Sequence, residues 1–234
     1  VELSDYLDLF STLGVARYYV DATPWYLYSA DAAASIRRMS PDAHIVINLR
    51  NPVAVLSSLH TRHVLVGLEP EPDFARAVFG DPRPPDPTEF RRSLDYLAAG
   101  RFGEQALRFT EAFPPEHVHF VSMIEMAQQP QAAHLALLES LGLEATPLDD
   151  YARYNEAKTV RNRAMSWAAA RVAGSRHSSR ARRALASRLA RRFAVAGRDP
   201  LDPEVAQRIT EELRDDILLL EKASGRDLSR WLQV

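Results

Sequence analysis

The chain has 234 residues, of which 46% are hydrophobic and 26% charged, with a formal net charge of −2 and no cysteine. This length can bury a core as one α/β domain, or as a domain with an appendage. The lack of cysteine excludes a disulfide framework and any cysteine-ligated zinc or iron–sulfur site. No apolar run approaches the roughly 18–20 residues that span a bilayer, and nothing resembles a signal peptide. We therefore expect a soluble cytoplasmic protein.

The first part of the sequence alternates helical and strand patterns. A capped stretch with apolar residues at helical spacing predicts the first helix, and β-rich runs predict two strands. The second of these runs is almost continuously apolar, as in a parallel strand covered on both faces. Pro52 suits the first turn of the helix that follows. The predicted order is helix 4–10, strand 16–20, helix 29–39, strand 44–49 and helix 52–67.

The next part begins with a surface excursion, because six prolines lie between Glu69 and Pro87. That density excludes continuous regular structure, although a helical turn fits residues 74–79. The remaining predicted elements are helix 88–112, strand 118–122, helix 131–141 and amphipathic helix 203–224. This order predicts an α/β fold with a doubly wound parallel sheet. Residues 1–150 form its core, and residues 151–234 form a helical C-terminal part of the same domain.

The most informative segment is the end of the second predicted strand, with the sequence Ile45-Val46-Ile47-Asn48-Leu49-Arg50-Asn51-Pro52. Open α/β sheets bind ligands at the carboxyl ends of their strands. An arginine at that position offers a fixed fork of donors to an anion, and Ser58, in the second turn of the next helix, can donate to the same oxygens. On spacing alone, a salt-bridged Arg50 and a solvent-facing Ser58 are the alternative.

Arg50-Asn51-Pro52 with Ser58 resembles the 3′-phosphate-binding element of sulfotransferases that use 3′-phosphoadenosine 5′-phosphosulfate (PAPS). The flanking segments agree in order and spacing with bacterial members and with the heparan sulfate sulfotransferases. They include Asp21-Ala22-Thr23-Pro24-Trp25-Tyr26, similar to an acidic-x-Ser/Thr-Pro-x-Tyr segment, and the ending Gly225-Arg226-Asp227-Leu228-Ser229-Arg230-Trp231. The resemblance implies a P-loop-like parallel sheet flanked by helices, PAPS as co-substrate, Arg50 and Ser58 as donor-binding residues, and no metal.

Two features depart from that family pattern. No loop rich in Gly, Lys, Ser and Thr, which would hold the 5′-phosphosulfate, precedes residue 16, so we expect this loop upstream of Val1. A native chain that began at Val1 would not be a catalyst. Ala22 stands where several subfamilies place a Lys or His. Asp21 is the nearest acid and a candidate general base, with two alternatives: it braces a loop, or a base comes from the upstream segment.

A basic tract covers residues 153–198, with twelve Arg and one Lys against a single acid. The resemblance places Lys158 and Arg161 in a late basic loop that closes over the donor. The other arginines fit the solvated faces of helices. Sequence-independent binding of nucleic acid or another polyanion is the rival interpretation, although aromatic side chains for base stacking are almost absent there.

The histidines suggest no strong site. His60 and His63 have helical spacing, but no carboxylate accompanies them at ligand spacing; they could instead face an acceptor pocket. His117 and His119 are expected to be structural.

The sequence thus predicts sulfuryl transfer from PAPS to a hydroxyl or amine of a small-molecule, lipid or glycan acceptor. The predicted partners are PAPS and this acceptor, without nucleic acid. The alternative is a non-catalytic anion- or nucleic-acid-binding protein that uses the tract 153–198.

Overall fold

The computed structural model describes residues 3–11, 14, 16–23, 25–66, 68–81, 95–152, 158–160, 194–196 and 200–233. The helices in these ranges are α1 (Leu3–Ser11), α2 (Trp25–Tyr28), α3 (Ala32–Met39), α4 (Pro52–Val66), α5 (Phe74–Phe79), α6 (Tyr96–Gly100), α7 (Phe102–Ala112), α8 (Met123–Gln128), α9 (Pro130–Ser140), α10 (Pro203–Glu212) and α11 (Arg214–Ser224). The strands are β1 (Ile45–Leu49), β2 (Val118–Ser122), β3 (Lys158–Val160) and β4 (Ala194–Ala196). None of the described helices is long and apolar enough to cross a membrane.

The sheet that organises the core has two parallel strands in the described part of the chain. β1 pairs with β2 in a register that runs from Ile45 beside Val118 to Leu49 beside Ser122. One face of β1 is buried, since Ile47 and Leu49 are only 5% and 3% exposed. The opposite face, with Val46 and Asn48, is exposed. The expected burial of this strand on both faces is therefore seen on one face.

Residues 16–20, predicted to be a strand, are irregular and exposed. The Tyr18 hydroxyl donates to the Leu141 carbonyl at 3.1 Å, and the Tyr19 hydroxyl donates to the Gly14 carbonyl at 2.9 Å. The strand prediction is wrong here because a β-rich segment becomes a strand only where another strand takes its backbone hydrogen bonds. Tyrosine side chains hold this segment instead.

The predicted helix 88–112 is interrupted at Arg101, between α6 and α7; residues 88–94 lie outside the described part. The side-chain amide nitrogen of Gln105, Nε2, donates to the backbone carbonyls of Ala98 and Ala99 at the end of α6, at 2.9 and 3.3 Å. The carboxylate of Asp216, on α11, accepts from the first amides of α7. Side chains thus satisfy the backbone groups of both helix ends, which makes the interruption stable.

The predicted helix 203–224 is likewise two helices, which meet at Leu213. Leu213 is fully buried and reaches the end of α6, where a Cβ on Gly100 would lie 2.9 Å from Leu213 Cδ1. On either side of this junction, α10 packs on α4 and α11 packs on α7. Ile209, Ile217 and Leu220 from these two helices are among the most buried apolar residues.

The C-terminal Gly-Arg-Asp-Leu segment fastens the end of the chain to β2. Arg226 donates to the Glu125 carboxylate at 3.1 Å and to the Phe120 carbonyl at 3.2 Å. Asp227 accepts from the Ser229 amide, and Trp231 is 6% exposed. A structural role explains this part of the motif.

The C-terminal part of the chain is not only helical, because β3 and β4 form an antiparallel pair with Lys158 beside Ala196. The rest of the tract 153–198 lies outside the described residues.

Candidate active site

Arg50 directly follows β1 and is half-buried at the carboxyl edge of the sheet. The next residue, Asn51, caps α4: its Oδ1 accepts from the Val53 amide at 2.9 Å and from the Ala54 amide at 3.4 Å. Pro52 has no amide hydrogen to satisfy and so suits the first helical position. A strand-end arginine thus stands at the start of a 15-residue helix, whose N-terminus favours negative charge.

The two serines of α4 face different surroundings. Ser58 is exposed, in the second turn of the helix, whereas Ser57 is half-buried. Ser57 lines an open cleft of about 340 Å³ between α4 and α10, together with Asn51, Val53, Ala54, Leu201, Ala206, Thr210 and Gln233. Ser58, the predicted donor-binding residue, is therefore exposed outside this cleft, whereas Ser57 faces into it.

Asp21 lies on the irregular segment before α2 and is exposed. Its Oδ2 accepts from the Tyr6 hydroxyl at 2.9 Å and from the Tyr26 hydroxyl at 2.5 Å. The bond to Asp21, together with burial, raises the pKa of Tyr26. Burial, followed by the bond to Asp21, raises the pKa of Tyr6. The carboxylate is thus oriented by two phenols from different helices.

The sequence indicates Asp21 as a candidate but neither phenol. Tyr26 belongs to the same acidic-x-Thr-Pro-x-Tyr segment, so its spacing was a usable signal. Tyr6 lies fifteen residues before Asp21 and gave none.

His60 and His63 pack into the protein interior and are 5% and 3% exposed. His60 Nε2 lies 2.8 Å from the Glu71 carbonyl, and His63 stacks on Trp25 with ring centroids 6.3 Å apart. Within the described ranges, no group of three or more side chains could hold a metal ion. His63 thus packs α4 against α2, and His60 packs it against the segment that leads into α5. The two are not a surface-facing pair.

Beside them lies a buried pair that the sequence did not suggest. The Tyr96 hydroxyl donates to Glu69 Oε2 at 2.9 Å, and the two residues are 2% and 1% exposed. This contact joins the segment after α4 to α6.

Three histidines cluster where β1 and β2 begin. His44 Nδ1 lies 2.8 Å from His119 Nε2, and the rings of His44 and His117 stack with centroids 4.6 Å apart. Burial lowers the pKa of His44, and His117 adds to the effect; burial, then His44 and His117, lowers the pKa of His119. Tyr18 packs edge-on against His44. The cluster joins the two strands at the edge opposite Arg50.

The two late basic candidates are placed only in part. Lys158 is the first residue of β3, and its side chain lies outside what the structure describes. Arg161 lies outside the described residues altogether.

The parallel sheet and its flanking helices define an α/β protein, and its P-loop-like class follows from its similarity to a solved structure. The fold is similar to that of the crystal structure of a sulfotransferase from Alicyclobacillus acidocaldarius. The TM-score is 0.69 at 20% sequence identity, over 98% of this chain and 74% of that chain.

A family model of the sulfotransferase domain matches residues 30–217, and the chain belongs to the sulfotransferase family. No curated protein matches the sequence.

Proposed function

We propose that this sulfotransferase uses PAPS as donor and transfers its sulfuryl group to a hydroxyl or amine of a small-molecule, lipid or glycan acceptor. The β1–α4 unit carries the proposal, because it combines a half-buried Arg50, a capped helix N-terminus and an exposed Ser58. A 3′-phosphate suits this unit: its oxygens can accept from the guanidinium fork and from the serine hydroxyl, and the helix N-terminus favours its negative charge.

In the proposed reaction the acceptor oxygen or nitrogen forms a bond to sulfur while the bond from sulfur to the 5′-phosphate oxygen breaks. Adenosine 3′,5′-bisphosphate leaves, and a base takes the acceptor proton. Arg50 and Ser58 hold the donor at its 3′-phosphate, away from the reacting bond, so they contribute binding and orientation.

We propose Asp21 as that base. Both phenol bonds fall on Oδ2, so Oδ1 has no donor among the described residues and can accept the proton. Tyr6 and Tyr26 would then orient the carboxylate. Lys158 and Arg161 are proposed to add positive charge over the donor phosphates. Membership of the family favours this enzyme over a binding protein built on the tract 153–198.

Calorimetric titration of the full-length protein with adenosine 3′,5′-bisphosphate tests the donor site. Removing one partner of a hydrogen-bonded charge pair costs about 2 kcal/mol or more, so Arg50→Ala should weaken binding at least ~30-fold. A hydrogen bond to a charged group contributes about 1.5 kcal/mol at the lower end, so Ser58→Ala should weaken binding about tenfold.

Ser57→Ala is the matched control on the same helix and should leave the affinity within about twofold, because Ser57 faces the cleft with α10. Three results contradict the proposal: no binding by the wild type, unchanged binding by Arg50→Ala, or a larger loss in Ser57→Ala than in Ser58→Ala.

A further inference from the structure

The α2 segment is a single helical turn, Trp25–Tyr28, and so short a helix is unstable on its own. Arg108, on α7, caps its C-terminal end. Arg108 Nη2 donates to the Leu27 carbonyl at 2.9 Å and lies 3.4 Å from the Tyr28 carbonyl. A cation at this end of a helix satisfies the last carbonyls and favours the helix dipole.

The position of Arg108 is energetically unfavourable for an arginine side chain. Its side chain is half-buried, and its Nε is buried with no hydrogen-bond partner. No carboxylate pairs with it among the described residues. Burying a guanidinium with an unsatisfied donor and no counter-charge is unfavourable. An apolar side chain would fill the same space between α7 and α2 without this penalty, so packing alone does not account for an arginine.

The helical turn α2 carries Tyr26, whose hydroxyl donates to Asp21 Oδ2 at 2.5 Å. Tyr26 lies one residue before Leu27, whose carbonyl Arg108 binds. We infer that Arg108 is a positioning residue: by holding the end of α2 it places the Tyr26 hydroxyl against the Asp21 carboxylate. For catalysis this inference rests on the proposed role of Asp21, whereas the placement of Tyr26 can be measured without any reaction.

The test follows the ionisation of Tyr26 by NMR in full-length protein labelled with carbon-13 at the tyrosine Cζ, with Tyr26→Phe assigning the signal. In the wild type, Tyr26 should stay protonated at about pH 10, where an ordinary tyrosine is half ionised, because its bond to Asp21 raises its pKa. In Arg108→Met the phenol should lose that bond and titrate at a lower pH than in the wild type. Arg101→Met, which removes an exposed arginine from the start of the same helix, should behave as the wild type.

A Tyr26 titration in Arg108→Met that matches the wild type overturns the inference. If circular dichroism shows that Arg108→Met is unfolded, Arg108→Lys decides. Its ammonium keeps the charge without the planar fork, so a shift smaller than that of full release is expected, and no shift overturns the inference.

Adenosine 3′,5′-bisphosphate binding separates this inference from the proposed function. Arg108→Met should bind the nucleotide as the wild type does, because Arg108 is no part of the donor anchor. A wild type that does not bind contradicts the donor assignment while the Tyr26 titration still tests Arg108; normal binding with an unmoved Tyr26 contradicts the role of Arg108 alone.

Discussion

Asp216 offers the sharpest test of how the helices around the site are held. It is 6% exposed on α11, and its carboxylate accepts from the amides of Gly103 and Glu104 at 2.8 and 2.9 Å. Asp216 thus caps α7 from a helix more than a hundred residues away in sequence. Replacing it by alanine leaves these two amides of α7 without acceptors.

The expected cost follows from these two bonds. Leaving a buried donor unsatisfied costs about 1–3 kcal/mol, and loss of an ordinary exposed cap costs about 0.5–2 kcal/mol. Burial opposes the charged carboxylate, since it raises the pKa of Asp216 while the amides of Glu104 and Gly103 lower it. We therefore expect Asp216→Ala to lower the free energy of unfolding by about 2–4 kcal/mol.

Urea denaturation of Asp216→Ala and of Asp215→Ala measures this cost. Asp215 is the neighbouring acid in the first turn of the same helix and is exposed, so its loss should cost less than about 0.5 kcal/mol. A loss below about 1 kcal/mol in Asp216→Ala, or equal losses in the two variants, refutes the assignment of Asp216 as the cap of α7.

Two further predictions concern the same core and the sheet edge. In Gly103→Ala the new Cβ would lie 2.2 Å from the Asp216 carbonyl oxygen, so the clash should outweigh the gain in helix propensity and lower unfolding free energy by at least about 1 kcal/mol. Gly14→Ala, where nothing lies within 4 Å, is the control, and an unchanged urea midpoint for Gly103→Ala would contradict the close approach. Burial lowers the pKa of His44 and His119. Their contribution to the free energy of unfolding is therefore complete above about pH 6.5 and is lost as pH falls through the lowered native pKa. Between pH 7 and pH 5, the melting temperature should fall less steeply in His44→Phe than in the wild type or in His134→Gln. An equally steep fall in all three proteins would show that the neutral histidine cluster does not stabilise the fold.

Several elements could be predicted because their signals are local. The almost continuously apolar run that ends at Leu49, Pro52 at the first position of α4, and the helical turn at 74–79 are each contained in a few residues, and the structure confirms these elements. The position of Arg50 followed from the same logic, because a residue that follows a parallel strand lies at the carboxyl edge of the sheet.

The rest depends on partners that are distant in sequence. Asp216 stabilises the interruption at Arg101, and the junction at Leu213 lies where this side chain packs on Gly100. Residues 16–20 have β-forming side chains, yet no described strand takes their backbone bonds. At the candidate site, neither Tyr6 beside Asp21 nor Arg108 at the end of α2 follows a spacing rule.

Arg50 and Ser58 are proposed to bind a 3′-phosphate, and the affinity ratio between adenosine 3′,5′-bisphosphate and adenosine 5′-monophosphate measures this binding without any acceptor. The wild type should prefer the bisphosphate by about 30-fold or more, since its additional phosphate pairs with the guanidinium. In Arg50→Ala this preference should fall to within a few-fold, with the affinity for the monophosphate nearly unchanged. Equal ratios in the wild type and in Arg50→Ala would show that Arg50 does not bind the 3′-phosphate.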